Sequence, residues 1–217
     1  MNKSDFLNKI SVRWVVALKE EAKIILDNYK MVLVTKKTLY PIYKNIEETH
    51  WLVLSGIGRH NSAAATSYLY TISAACGWTS WINIGIAGSG KGDYGNLYLV
   101  DKIFNPNSKT TYPATMPKSN LPKMSLMTTE IPITDYSSKE LIDMEGSAFY
   151  DIACKLTSKE FICIIKIISD GTRDNVKQLT KLKIIQLIQS NITKINKIIL
   201  YYQNLSKNEH RIIAKPD

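Results

Sequence analysis

An apolar and β-branched run at positions 161–168, interrupted only by Lys166, constrains the fold of this 217-residue chain most strongly. Strands with apolar residues on both faces are typical of parallel sheets, where helices cover each side. Asp170 follows the run, at the edge where open α/β sheets bind their ligands. The pattern therefore predicts a buried parallel strand with a carboxylate at its carboxyl end.

Other predicted strands also end in acidic or glycine-containing turns that come before a helix or a loop. The carboxyl ends of parallel strands meet at one edge of a sheet, so we expect these turns to lie beside Asp170. We predict an α/β fold, a three-layer sandwich with a mostly parallel or mixed central sheet. The turns contain Glu21 after residues 12–17, Gly56 and Gly58 after residues 51–54, and Gly85, Ile86, Ala87 and Gly88 after residues 81–84.

Glu145, at the start of the helix that precedes the strand at 161–168, is a further candidate carboxylate. Two carboxylates in one cleft can take different roles, because desolvation and neighbouring charge decide which of them is ionised. A plainer interpretation fits the pattern equally well. Glu21 and Glu145 would then only stabilise helix N-termini, and Asp170 would be a turn residue.

The length of the chain and its 45% of hydrophobic residues suffice for one buried core. We expect a single domain over residues 1–217, frayed at 1–10 and 207–217. The net charge of +9 would suit a nucleic-acid-binding protein. The basic residues are spread along the chain without an arginine-rich block, however, so nucleic acid is the less favoured alternative.

Cysteine and histidine give no sign of a metal site. Cys76, Cys154 and Cys163 form no Cys-x-x-Cys pair, and the histidines lack ligand spacing. The chain has no run of about 18 apolar residues and no apolar N-terminal segment, so we expect a cytoplasmic protein without a membrane span. Beyond residue 175 the pattern predicts a long basic amphipathic helix that packs on the sheet. A membrane-surface or RNA-binding role for this helix is the alternative.

Two segments resemble signature segments of the purine nucleoside phosphorylase and nucleosidase superfamily, especially the branch that cleaves methylthioadenosine and adenosylhomocysteine. They are residues 143–148, Asp-Met-Glu-Gly-Ser-Ala, and residues 168–170, Ile-Ser-Asp. The glycine turns after the strands at 51–54 and 81–84 resemble the Gly-x-Gly and Gly-x-Ala-Gly segments of the same superfamily. The resemblance implies the superfamily's fold, a homo-oligomer, most often a dimer, and no metal or organic cofactor.

The resemblance further implies a nucleosidase, which hydrolyses the N-glycosidic bond of a purine nucleoside or a 5′-modified adenosine. Asp170 would protonate the purine at N7, Glu21 would orient and deprotonate water, and Glu145 would bind the ribose hydroxyls. Lys166 is expected to pair with one of these carboxylates or to form a purely structural ion pair. The other implied substrate-binding residues are Met144, Ser169, Gly56, Gly58, Gly85, Ile86, Ala87, Gly88 and Ile131.

The chain departs from the superfamily pattern at several positions. Asn83 stands where hexameric phosphorylases have a phosphate-binding arginine, which favours water as the nucleophile. Ile86 stands where nucleosidases usually have a small polar residue, and the region 105–142 is shorter than in relatives. Two alternatives follow. One is a phosphate-dependent phosphorylase that binds phosphate through Arg59 or Lys19, and the other is a nucleoside-binding protein that has lost activity.

Overall fold

The computed structural model describes residues 11–34, 37–105, 109–115, 117, 119–133, 136–137, 139–171 and 179–213. Its helices and strands are, in chain order, β1 (Val12–Val16), α1 (Lys19–Asn28), β2 (Val32–Leu33), β3 (Ile42–Lys44), β4 (His50–Leu54), α2 (Arg59–Ile72), β5 (Ser80–Ser89), β6 (Leu97–Asn105), β7 (Thr110–Pro113), β8 (Lys123–Thr128), β9 (Leu141–Asp143), α3 (Gly146–Leu156), β10 (Ile162–Gly171) and α4 (Lys181–Ile213).

The strands expected from the four apolar runs are confirmed as β1, β4, β5 and β10. Strand β1 pairs in parallel with both β4 and β5, and β5 pairs in parallel with β10. The carboxyl ends of these four strands therefore lie side by side at one edge of the sheet. This arrangement brings together the acidic and glycine-containing turns identified in the sequence.

The sheet is mixed and closes on itself at one side. Strand β10 pairs with β6 as well as with β5, and the path β6, β8, β9 returns to β5. Strands β5 and β10 are each ten residues long, whereas β1 and β4 have five. Their extra length gives β6 and β9 strand edges to pair with, and the usual twist of the sheet allows the ring to close. The expected mixed sheet is therefore confirmed, but it is partly barrel-like, and the expected three-layer sandwich is not confirmed.

Successive side chains of a strand point to opposite faces of the sheet. Because the central strands are buried at nearly every position, helices cover both faces. On one face Trp14 packs in a cluster with Ile25 of α1 and Ile188 of α4. On the other face Val15 packs in a cluster with Leu69 of α2 and Phe149 of α3. The helices thus bury the faces of the sheet and leave the carboxyl edge of the strands available for a site.

The C-terminal helix α4 packs on the sheet over much of its length. It continues to Ile213, past residue 206, where we expected fraying to begin. The buried Ser206 hydroxyl donates a hydrogen bond to the Trp78 carbonyl at 2.9 Å, which ties this part of the helix to the core. Residues 1–10 and 214–217, also expected to fray, lie outside the described residues. None of the helices described has the length and apolar character needed to cross a membrane.

Candidate active site

The carboxyl ends of β1, β5 and β10 border a cavity of about 220 Å³. The connection from β8 to β9, which contains no helix in its described part, and the start of α3 form the opposite wall. Most of the residues that the sequence singled out for a site meet here. Those that line the cavity are Glu21, Ile86, Ala87, Gly88, Met144, Glu145, Ser169 and Asp170.

The predicted glycines Gly56, Gly58 and Gly85 do not line the cavity, but two of them lie next to carboxylates that do. The Gly58 main-chain N–H donates a hydrogen bond to Glu145 Oε1 at 2.7 Å. A Cβ atom at Gly85 would lie 2.7 Å from Glu21 Oε1, so only glycine lets that carboxylate approach the strand. Gly56 turns the chain after β4 with a φ of 78°, in the left-handed region that favours glycine.

Ile131, predicted to contact the base, does not line the cavity. Its side chain is 71% exposed, and the neighbouring Pro132 and Ile133 line the wall instead. The sequence offered no basis for choosing among these neighbours, because a connection without regular structure has no periodicity that shows which side chains point inward.

Glu21 lies in the first turn of α1 and is buried. Its Oε1 atom accepts a hydrogen bond from the Ile86 main-chain N–H, and its Oε2 atom accepts one from the Leu18 N–H, both at 2.9 Å. Burial raises the pKa of Glu21, and these hydrogen bonds and the nearby Lys166 offset only part of the effect. Glu21 is therefore more basic than an ordinary glutamate. Although the side chain of Ile86 is apolar, this position still makes a polar contact with Glu21, through its main-chain N–H group.

Glu145 precedes α3 and is also buried. Besides the Gly58 N–H, the Met144 N–H donates to its carboxylate, at 3.3 Å from Oε2. Burial raises the pKa of Glu145 to about 7, and the neighbouring Asp143 adds to the shift. Glu145 thus changes its charge close to neutral pH.

The raised pKa of Glu145 predicts a measurable dependence of stability on pH. Between its ordinary value of 4.5 and about 7, the folded protein holds the Glu145 proton more tightly than the unfolded chain does. The free energy of unfolding should therefore fall as the pH rises through this interval. Glutamine cannot ionise, so Glu145→Gln should be more stable than the unmodified protein by about 1–3 kcal/mol at pH 8, with little difference at pH 4.5.

Urea unfolding at the two pH values measures this difference. Glu160→Gln, which changes an exposed glutamate, is the matched control and should leave the pH dependence unaltered. An equal effect of Glu145→Gln at both pH values would contradict the prediction.

Lys166 forms an ion pair with Asp143 and not with Glu21, Glu145 or Asp170, which agrees with the second of the two expectations, an ion pair outside the three predicted carboxylates. The Lys166 Nζ atom lies 2.8 Å from Asp143 Oδ2, and both side chains are at most 2% exposed. The Thr128 hydroxyl and the Gly146 N–H also donate to the Asp143 carboxylate, at 2.7 and 2.8 Å. Burial alone would lower the pKa of Lys166, but Asp143 and Glu145 outweigh it and raise the pKa. Lys166 is therefore a buried cation beside several carboxylates.

Asp170 lies at the end of β10, where a bulge interrupts the pairing with β5. Its Oδ1 atom accepts a hydrogen bond from the Ser169 hydroxyl, and its Oδ2 atom accepts one from the Tyr136 hydroxyl. Burial and the bond to Asp170 raise the pKa of Tyr136, so the phenol remains a donor. Sequence reasoning missed Tyr136, which lies in the connection from β8 to β9 and belongs to no motif.

Solved structures with this arrangement of strands and helices exist, although neither a protein-family model nor a curated protein sequence matches the chain. The 5′-methylthioadenosine/S-adenosylhomocysteine nucleosidase of Campylobacter jejuni superposes with a TM-score of 0.68 at 17% identity, over 87% of this chain and 98% of that one. The chain shares the fold of this nucleosidase, which is a fold of the superfamily that the two sequence segments resemble.

Two further structures share this superfamily fold. The nucleosidase of the same name from Neisseria meningitidis, in complex with methylthio-immucillin-A, has a TM-score of 0.66 at 15% identity, over 90% of this chain and 96% of that one. The futalosine hydrolase of Helicobacter pylori has a TM-score of 0.64 at 13% identity, over 85% and 97%. The resemblance inferred from the two sequence segments is thus confirmed at the level of the fold.

None of the three residues that bear on phosphate binding, Asn83, Arg59 and Lys19, lines the cavity. The Asn83 side chain is buried, and its Nδ2 atom donates to the Val15 carbonyl at 3.0 Å. Arg59 forms an ion pair with Glu130, and Lys19 is exposed. In the described part of the chain, no lysine or arginine side chain lines the cavity. Across the residues that the structure describes, no group of three His, Cys, Asp or Glu side chains could hold a metal ion.

Proposed function

We propose that the protein is a nucleosidase that hydrolyses the N-glycosidic bond of a purine nucleoside or a 5′-modified adenosine. The observation that carries this proposal is the convergence of three buried carboxylates, those of Glu21, Glu145 and Asp170, on one cavity of the superfamily fold. They come from three separate segments, after β1, before α3 and at the end of β10. Carboxylates in such different surroundings can divide the acid, base and charge-stabilising roles among themselves.

Asp170 is proposed as the general acid. A purine leaves readily when its N7 atom is protonated, because the departing base is then neutral. The carboxyl group faces the cavity, and the Ser169 hydroxyl holds its Oδ1 atom in place. A positioned acid of this kind contributes a factor of about 10² to 10⁴ to the rate.

Glu145 is proposed to stabilise the sugar as the bond breaks. The ribosyl group gains positive charge when the base leaves, and a fixed carboxylate in a site with little water stabilises that charge. The Gly58 and Met144 N–H groups hold the Glu145 carboxylate in position. Each oxygen retains a second lone pair, so the carboxylate can also accept hydrogen bonds from the ribose hydroxyls.

Glu21 is proposed as the general base that orients and deprotonates the attacking water. Its burial raises its pKa and so makes it a stronger base. The main-chain N–H groups of Leu18 and Ile86 fix its two oxygens, which leaves one lone pair on each of them for a water molecule.

Water is favoured over phosphate as the nucleophile because of the charge of the cavity. Among the described lining residues the charged groups are all acidic: Glu21, Asp143, Glu145 and Asp170. A phosphate ion next to these groups would be repelled unless a cation balanced its charge. The cation Lys166 is already engaged by Asp143, so a phosphorylase is the less favoured alternative.

The walls of the cavity favour an apolar 5′ substituent. Ile57, Ile86, Pro132, Ile133 and Leu179 line the cavity between the carboxylates. Apolar walls of this kind bind a purine and a methylthio group better than they bind a charged 5′ group such as a phosphate. We therefore propose 5′-alkylthio adenosines as the first substrates to test.

The experiment is base release from methylthioadenosine, adenosylhomocysteine, adenosine, inosine and futalosine, each with and without phosphate. We expect release of adenine from methylthioadenosine without phosphate, at a rate that added phosphate does not change. Release that requires phosphate, with ribose-1-phosphate derivatives as products, would indicate the phosphorylase. Tight binding of methylthio-immucillin-A without any base release would indicate a nucleoside-binding protein instead.

A further inference from the structure

We propose that Tyr136 competes with the substrate for Asp170, because its phenol occupies the place that the purine must enter. This inference rests on the proposed function, since it takes Asp170 as the group that meets the base. Tyr136 would then set the affinity for nucleosides without taking part in the chemistry.

The contacts of Tyr136 place its ring inside the site. Its hydroxyl donates a hydrogen bond to Asp170 Oδ2, the oxygen that Ser169 leaves free. The side chain is only 7% exposed although it belongs to a connecting segment. Its ring lies against Gly88, where any Cβ atom would overlap it. The phenol thus binds the same carboxyl group, in the same cavity, as the proposed substrate.

The size of the cavity indicates that the substrate and the Tyr136 ring cannot occupy it together. Cavities that bind small molecules usually have about 300–1,000 Å³. The cavity beside Tyr136 has about 220 Å³, and the ring itself forms part of its wall. Withdrawal of the ring would join the space that it fills to the cavity and would expose the Asp170 carboxyl group.

The surroundings of Tyr136 allow the ring to withdraw without disruption of the sheet. The residue lies between β8 and β9, outside every helix and strand. The Ile131 carbonyl accepts a hydrogen bond from the Thr129 hydroxyl at 2.8 Å, but no bond between main-chain groups joins the described residues 131–133 and 136–137 to the sheet. The described contacts of the ring are its packing and the hydrogen bond that it donates to Asp170. A purine would replace that bond with one of opposite direction, in which the protonated Asp170 carboxyl group donates to N7.

In competition of this kind, the apparent affinity equals the intrinsic affinity multiplied by the fraction of molecules in which the site is open. Removal of the phenol hydroxyl alone should raise that fraction, because a typical hydrogen bond shifts an equilibrium by about fivefold. For Tyr136→Phe we expect a KM for methylthioadenosine about fivefold lower, with kcat unchanged. The Kd of methylthio-immucillin-A, measured by calorimetry, should fall by a similar factor.

Tyr112→Phe is the matched control. The Tyr112 hydroxyl also donates to an aspartate, Asp151 Oδ1, at 2.8 Å, but neither residue lines the cavity. This variant should leave KM, kcat and Kd unchanged. The midpoint of urea unfolding for each variant shows whether it is folded under the assay conditions.

The outcomes separate this inference from the proposed function. A lower kcat in Tyr136→Phe with an unchanged KM would show that Tyr136 positions Asp170 for catalysis, and it would overturn the competition. Unchanged constants in that variant would also overturn it and leave the nucleosidase standing. Absence of both base release and analogue binding in the unmodified protein and in both variants would overturn the proposed function, and this inference with it.

Discussion

Asp170→Asn should lower kcat for base release by a factor of about 10² to 10⁴ without unfolding the protein. Asparagine has the size of aspartate, and its one oxygen can still accept a hydrogen bond from the Ser169 or the Tyr136 hydroxyl, which donate to different oxygens of Asp170. The hydroxyl that faces the amide NH2 group can accept a hydrogen bond from it instead. It cannot deliver a proton to the leaving purine. The measurement is the initial rate of base release under saturating substrate, together with the midpoint of urea unfolding.

A second aspartate supplies the control for this substitution. Asp151, on α3, accepts a hydrogen bond from Tyr112 as Asp170 does from Tyr136, but it does not line the cavity. Asp151→Asn should retain the full rate. If Asp170→Asn were as active as Asp151→Asn, the assignment of the general acid would be wrong.

Lys166→Met should lower the free energy of unfolding by about 3–5 kcal/mol. Methionine fits the apolar surroundings of the strand, so the loss comes from charge and not from packing. The ammonium group pairs with Asp143 in a region where both side chains are at most 2% exposed. Its removal leaves a buried carboxylate without a counter-ion, close to Glu145 and Glu21. Urea unfolding at pH 7 measures the effect.

Two further variants establish the cause of this loss. Lys23→Met removes a pair with Asp27 whose side chains are 56% and 67% exposed, and it should cost only about 0.2–1 kcal/mol. Asp143→Asn, added to Lys166→Met, removes the uncompensated charge and should restore part of the lost stability. A Lys166→Met variant that unfolds at the same urea concentration as the unmodified protein would show that this ion pair does not stabilise the fold.

The candidate site could be predicted from the sequence because it depends on strand direction. Once the run at 161–168 is taken as a parallel strand, Asp170 and the turns after the other strands must share one edge. Glu21 and Asp170 meet there in the structure, and Glu145 joins them from the start of α3. The order of strands and turns predicted that they share one edge, and the resemblance of two segments to the superfamily signatures favoured a site over the plainer interpretation as capping and turn residues.

The closure of the sheet and the partner of Lys166 could not be predicted in this way. Strand β9 has only three residues, too few to show alternation, and it pairs with the last two residues of β5. Lys166 contacts Asp143 because of the way in which β8, β9 and β10 close the ring, which places that carboxylate opposite β10. Tyr136 also escaped prediction, since its contact with Asp170 joins a connecting segment to a distant strand.

The most direct test of the central claim is to incubate the purified protein with methylthioadenosine in phosphate-free buffer and identify the products. Hydrolysis predicts free adenine and methylthioribose in equal amounts, with no phosphorylated sugar when phosphate is added. A phosphorylated sugar, formed only when phosphate is present, would contradict the proposed use of water. Failure to release a base from any nucleoside of the panel would contradict the assignment of Glu21, Glu145 and Asp170 as a nucleosidase site.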